Sequence, residues 1–198
     1  MSTNNAINTS NPSGVTAASY TNSNITVNAA GIITAASNGS AGGSGKILQL
    51  VQATLTTSAT TTNQTFTDTG LTVNITPSSA SNKVAIDYSV TGGAGSGDQV
   101  FWNLVRVISG TPTNILVGTG VGSRTACSNS FNYSTNANNT VCNSNNYLDS
   151  PATTSVVTYK IQFACDTGNA YINQSGGDSN SASYPRTVST IRVMEVAP

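Results

Sequence analysis

The sequence contains no histidine, and only 7% of its 198 residues are charged. Without histidine, the usual general base, the Ser-His and Cys-His nucleophile pairs and the commonest metal ligand are missing. The acidic side chains are six Asp and the single Glu195, scattered along the chain, so the sequence shows no paired carboxyl groups of the kind a glycosidase needs. We therefore expect no catalytic residues and no enzymatic activity.

The same scarcity applies to cofactor and metal motifs. The cysteines do not form a Cys-x-x-Cys motif, and no Asp-x-Asp-x-Asp calcium loop is present, so we expect no metal ligands and no cofactor. Asp87 falls inside a strand-like segment, where an Arg or Lys of a neighbouring strand is its expected partner. The other aspartates stand beside Thr, Gly or Ser and are interpreted as turn residues that bond their own backbone: Asp68, Asp98, Asp149, Asp166 and Asp178.

Positive charge and long apolar runs are also lacking. The formal net charge is zero and no Lys/Arg run exists, which argues against binding to nucleic acid. No stretch approaches the roughly 18 to 20 apolar residues of a membrane span, and the N-terminal segment lacks the pattern of a signal peptide. We expect a protein that is made and assembled in a cytoplasm, with no membrane partner.

Cysteine is rare, with three residues in all. Cys127 and Cys142 flank an Asn/Ser-rich stretch, and a disulfide between them would close a loop of about fifteen residues and stabilise by up to roughly 3 kcal/mol. The alternative is three reduced, partly buried thiols in a protein made in a cytoplasm.

Neutral polar residues are abundant: 81 of the 198 residues are Ser, Thr or Asn. They dominate residues 1–45, which have too few large apolar side chains to bury a core and are predicted to be an extended arm. In residues 25–34, apolar and polar residues alternate and the chain turns at Gly31, as in a short hairpin or a strand that meets a partner chain. Residues 37–45 have the composition of a flexible linker. The candidate arm contacts are Ile25, Val27, Ile32 and Ile33.

From residue 46 to 198 the hydrophobic period changes to two, with turn signals between apolar runs and almost no helix signal. This pattern predicts an all-β fold, an antiparallel β-sandwich resembling a jelly roll. The predicted strands are 46–57, 64–75, 83–91, 99–108, 113–118, 156–164, 169–173 and 187–196.

The segment 99–108 differs from the other strands because both of its faces are apolar. One face should meet the core and the other a second subunit, so we name Phe101, Trp102 and Val105 as candidate interface residues. For Trp102, a place in the core is the alternative that the sequence favours.

Residues 120–150 are predicted to be a long insertion rich in Asn and Ser. Loops of this length are commonly functional or ordered by a contact. Its aromatic residues Phe131, Tyr133 and Tyr147 are candidate exposed contacts for a partner or a glycan, or else they fasten the loop to the domain.

Two parts of the sequence resemble proteins of tailed bacteriophages. Residues 14–39, GVTAASYTNSNITVNAAGIITAASNG, are similar to an element of tail-fibre and other virion proteins; they depart from it at Asn28, where Asp is frequent, and at Ile32, where a basic residue is frequent. The later part resembles a C-terminal domain of structural proteins from phages of aquatic bacteria. It does so through KILQLVQAT at 46–54, FTDTGLTVNITPSSASNKV at 66–84, YLDSPATTSVVTYKIQF at 147–163, YINQSG at 171–176 and STIRVMEVAP at 189–198.

This resemblance implies a virion component, commonly a homotrimer, with a jelly-roll-like domain. The first hypothesis is a capsid decoration (cement) protein whose arm reaches over the major capsid protein or other virion proteins. The second is a short tail fibre or receptor-binding tip that contacts a host surface glycan. An enzyme acting on host polysaccharide is a minor third.

Overall fold

A computed structural model describes residues 15–16, 18–39, 45–132 and 138–198 of the chain. The chain divides into two compact units, Met1–Ser44 and Gly45–Pro198. The described residues form strands, turns and irregular segments without any helix. Residues 40–44, the middle of the predicted linker, lie outside the described residues.

The first unit contains one antiparallel hairpin, made of β1 (Asn24–Val27) and β2 (Ile33–Ser37). The Asn28 side chain organises the turn, since its Oδ1 accepts hydrogen bonds from the backbone N–H of Ala30 and of Ile32, both at 3.0 Å. Gly31 adopts a φ of 77°, a conformation that glycine tolerates without steric cost. Of the two arrangements predicted for this segment, the structure shows the hairpin.

The second unit contains a six-stranded and a five-stranded antiparallel sheet. In the six-stranded sheet, β3 forms one edge and pairs with β13, which pairs with β6; both β10 and β12 then pair with β6, and β4 pairs with β12. The strands are β3 (Ile47–Leu55), β4 (Ala59–Thr61), β6 (Lys83–Ala94), β10 (Val141–Asp149), β12 (Ala170–Ile172) and β13 (Ser189–Val196).

The five-stranded sheet has the order β5-β11-β7-β8, with β9 also pairing with β7. Its strands are β5 (Thr67–Ile75), β7 (Gln99–Ile108), β8 (Thr111–Ile115), β9 (Asn129–Asn132) and β11 (Val157–Cys165). The predicted all-β sandwich is confirmed, and this strand order is compatible with the jelly roll.

Alternation along the strands builds the core between the two sheets. On β6, Val84 and Ile86 lie inside with at most 1% of their surface exposed, and on β11, Tyr159 and Ile161 are fully buried. Side chains of this size stabilise a fold by roughly 1.5 to 3 kcal/mol each when buried. These inward faces follow the period of two that the sequence shows from residue 46 onward.

The structure differs from the sequence prediction in the segment 120–150. This segment contains β9 and the nine-residue strand β10, which is paired along its whole length with β6. Asn143 and Asn145 interrupt the inward face of β10, so the strand has no continuous apolar face and its sequence has the composition of a loop. A full strand of the sandwich therefore lies where an insertion was predicted.

The turn interpretation of the aspartates also needs correction. Asp149 is buried and accepts hydrogen bonds from Arg106 at 2.8 and 3.1 Å and from the Tyr159 hydroxyl at 2.7 Å. Asp68 lies on β5 and binds Lys160 and Gln162 of the neighbouring strand. These carboxylates join different strands and do not serve their own turns.

Candidate interaction surfaces

Trp102 is a core residue in this structure. Its ring is fully buried, stacks on Phe163 with ring centroids 6.0 Å apart, and donates a hydrogen bond from Nε1 to Asn143 Oδ1 at 3.0 Å. Val105, on the opposite face of β7, is 1% exposed within the single chain. For Trp102 the structure confirms the place in the core that the sequence favoured, and for Val105 the interface prediction is wrong, because the chain itself already covers its side chain. Phe101 is half-buried, so part of its surface remains accessible to a second subunit.

The aromatic residues of the segment 120–150 are held against the domain. Phe131 stacks on Trp102 with ring centroids 6.3 Å apart, and Tyr147 packs on the core from the inward face of β10. Tyr133 lies outside the described residues. For Phe131 and Tyr147, the structure favours the alternative in which they fasten the segment to the sandwich.

The three cysteines are free thiols. Cys142 is exposed on the outward face of β10, where its sulfur lies 3.1 Å from the Ser89 hydroxyl, and burial raises the pKa of the partly buried Cys127 thiol. Burial likewise raises the pKa of Cys165, which lies inside the domain. Of the two alternatives for Cys127 and Cys142, the structure shows the reduced thiols without a disulfide.

The candidate arm contacts are exposed in the described hairpin. Ile25 and Val27 of β1 are each 53% exposed, and Ile32, which precedes β2, and Ile33, its first residue, are each 42% exposed. A two-stranded hairpin is marginally stable in water by itself, and exposed aliphatic side chains are suited to covering by a partner. The hairpin therefore presents an uncovered apolar surface.

A second exposed apolar surface lies on the outer face of the six-stranded sheet. The registers of four adjacent strands place Leu50 of β3, Met194 of β13, Ala85 of β6 and Leu148 of β10 in one row. Leu50 is 54% exposed and Leu148 is 50% exposed. We call this set the apolar row.

Two polar rows continue the same face. Next to the apolar row come Gln52, Arg192, Asp87 and Asn146, which we call the charged row. The third row, the hydroxyl row, contains Thr54, Thr190, Ser89 and Ser144. Arg192 donates to Asp87 at 2.9 Å with both side chains about two-fifths exposed, which confirms the cationic partner expected for Asp87. A shallow depression of about 240 Å³ lies along the charged and hydroxyl rows.

The outer face of the six-stranded sheet was not predicted from the sequence. The signal was present in KILQLVQATL, where apolar residues fall on both faces of β3, but the second face was not assigned a role. The alignment of Leu50 with Leu148 depends on the pairing of four strands that are far apart in the sequence. Neither residue has a distinguishing local pattern.

A third surface is the loop that follows β12. Asp178, Ser179, Asn180, Ser181, Tyr184 and Arg186 line a depression of about 360 Å³. The Arg186 guanidinium donates to Asp178 at 2.5 Å and to Gln174. Hydrogen-bonding groups around one aromatic ring are chemically suited to contact with a sugar.

Glu195 is the most deeply buried carboxylate of the described residues, at 1% exposure. Burial raises its pKa, but hydrogen bonds from Asn82, Gln49 and Ser78 outweigh this effect and lower the pKa to about 2. These four hydrogen bonds to the carboxylate oxygens hold the turn after β5 against β13. Glu195 therefore has a structural role.

Within the part of the chain that the structure describes, no group of three His, Cys, Asp or Glu side chains is placed to hold a metal ion. No helix of the described residues is long and apolar enough to cross a membrane. In the comparisons, no family model and no curated protein matches the chain.

Proposed function

We propose that the protein is a structural component of a tailed-bacteriophage particle, a capsid decoration protein that the N-terminal arm anchors to the shell. The observation that carries the proposal is the hairpin of β1 and β2, whose four large aliphatic side chains are 42 to 53% exposed. A hairpin of this kind needs a second molecule to cover it. In this proposal the sandwich domain projects from the outer surface of the shell.

The composition of the arm supports attachment to a protein surface. Residues 1–45 contain no charged side chain, since the first is Lys46. A neutral arm can lie on another protein without burying unpaired charge, which would be costly. The partner in this proposal is the major capsid protein, and the resemblance to virion proteins implies three copies of the chain.

The test is binding of the purified chain to emptied phage heads, measured by co-sedimentation. We expect Ile25→Asp with Ile33→Asp to lose binding by at least about tenfold, because each change buries an unpaired charge in the contact. Val156→Asp is the matched control, since Val156 is equally exposed at 53% but lies outside the arm. Equal binding of the arm variant and the wild type would contradict the proposal.

A short tail fibre or receptor-binding tip is the second candidate, which the depression beside Tyr184 favours. In that case antibody labelling of intact particles would mark the tail and leave the head unlabelled. The chain would also bind host surface glycan, and Tyr184→Ala would weaken that binding. Labelling of the head with no glycan binding would exclude this alternative.

An enzyme acting on polysaccharide is the least supported candidate. The carboxylates Asp87, Asp149 and Glu195 each accept hydrogen bonds from a cationic or amide side chain of another strand. Turnover of purified host glycan that disappears when one aspartate is replaced would establish this activity against our proposal.

A further inference from the structure

We propose that the outer face of the six-stranded sheet binds the same face of a second copy of this chain. The two-fold axis would lie in the interface, parallel to the strands and between β13 and β6. This pairing does not depend on the proposed function. It is an alternative to the homotrimer that the sequence resemblance implies, and a mass measurement in solution separates the two.

The outer face of the six-stranded sheet carries an exposed apolar surface. Leu48 extends the apolar row along β3 and is 44% exposed, so three leucines at 44 to 54% exposure lie on one sheet face. Leu50 and Leu148 stand at opposite ends of the apolar row, on the two outer strands of the four. A continuous apolar row on an open sheet face indicates a contact with another molecule.

The outer face of the six-stranded sheet is complementary to itself. The proposed axis exchanges β3 with β10 and β13 with β6 and keeps each row opposite the same row. Leu50 then faces Leu148 of the second copy, and Met194 faces Ala85 of the second copy. A long side chain meets a short one at the centre while leucines meet at both ends, as close packing of two sheet faces requires.

The charged row favours the same pairing of two copies. The same axis places Arg192 opposite Asp87 of the second copy and Asp87 opposite Arg192 of the second copy. Within one chain these side chains already form an ion pair at 2.9 Å, and both remain about two-fifths exposed. Two such pairs brought together make a cluster of four alternating charges, in which every charge has two opposite neighbours.

The alternative axes fit less well. A two-fold axis in the interface but perpendicular to the strands, passing through the charged row, would oppose Arg192 to Arg192 of the second copy. Like charges directly opposite each other would oppose association of the two copies. The occupant that satisfies both the apolar row and the charged row is therefore a second copy related by the axis parallel to the strands.

The test uses two full-length variants with opposite charge changes, Arg192→Asp and Asp87→Arg. We expect the wild type to sediment as a pair in a micromolar concentration series, and each variant alone to raise the dissociation constant by at least about tenfold, because like charges then face each other. An equimolar mixture of the variants should restore the pair, since every position 192 then faces an opposite charge at position 87. If the variants dissociated only because each has lost the ion pair within its own chain, mixing them would not restore the pair, since neither chain regains that ion pair.

A second pair of variants tests the apolar row. Leu50→Asp and Leu148→Asp should each weaken the pair by at least about tenfold, while Val156→Asp should leave it intact. Circular dichroism and the thermal midpoint establish that each variant is folded. The inference would be overturned by a monomeric wild type throughout the series, by a three-chain particle that these substitutions do not affect, or by a variant mixture that fails to restore the pair.

Discussion

At the residue scale, buried polar groups in this domain work in networks that local sequence does not reveal. From the sequence, Asp149 was interpreted as a turn residue and Glu195 was assigned no role, because no partner lies near either of them in the chain. Their donors, among them Arg106 and Gln49, come from strands 43 and 146 residues away. Asp87 was predictable because an acidic residue on the polar face of a strand commonly has a cross-strand cation.

Glu195 leads to a prediction about acid stability. Its pKa is lowered from 4.5 to about 2 in the folded chain, so its contribution to stability is complete above about pH 5 and disappears as the pH falls through about 2. A shift of this size corresponds to a contribution on the order of 3 kcal/mol. We expect Glu195→Gln to destabilise the domain at pH 7, because its amide would direct N–H groups toward the Gln49 or Asn82 donors.

The measurement for Glu195 is the free energy of unfolding by urea at several values of pH. The difference between wild type and Glu195→Gln should shrink as the pH is lowered from 5 toward 2. Asp178→Asn serves as a control, since its ion pair with Arg186 is half-exposed and should contribute little at any pH. A difference between wild type and Glu195→Gln that stays constant across the range would contradict this account of the carboxylate.

At the scale of the element, strands with alternating apolar residues were predictable and strands with polar inward faces were not. All eight predicted strands are present, from β3 to β13, with bounds that differ by a few residues. β10 was missed because Asn143 and Asn145 occupy inward positions, where Asn143 satisfies the indole N–H of Trp102. The short strands β4 and β9 are held by pairing with distant partners and have no pattern of their own.

The end of β6 shows how glycine extends a strand. The strand predicted from the sequence ends at residue 91, yet β6 continues to Ala94. A Cβ on Gly92 would lie 2.7 Å from the Trp102 ring and against the Tyr171 carbonyl oxygen. Glycine at this position therefore permits close approach of β12 and the indole ring.

We expect Gly92→Ala to destabilise the domain by about 1 to 3 kcal/mol, since the added methyl group overpacks the core beside Trp102. Urea unfolding followed by tryptophan fluorescence measures this directly. Gly120→Ala is the matched control, because a Cβ there would meet its neighbours at 3.6 Å, an ordinary contact distance. If both variants have the stability of the wild type, the packing described for β6 and β12 is incorrect.

At the scale of the whole molecule, the two units differ in what stabilises them. The sandwich has a continuous core with more than twenty buried apolar residues, whereas the hairpin unit exposes its large aliphatic side chains. This contrast followed from composition alone, because residues 1–45 combine few large apolar side chains with no charge. The apolar row could not be predicted in this way, since it exists only once four strands are in register.

The contrast predicts two classes of hydrogen exchange in the isolated, dilute chain. Backbone amides of β6 and β11 are paired on both sides in the core and should exchange only on global unfolding. Amides of β1 and β2 have one partner strand and little buried surface, so they should exchange close to the rate of an unprotected chain. Mass spectrometry of peptides from both regions measures the difference, and the same hairpin peptides should become protected when the chain is bound to phage heads. Strong protection of the hairpin in the free monomer would show that it is stable without a partner, and would remove the argument that another molecule must cover it.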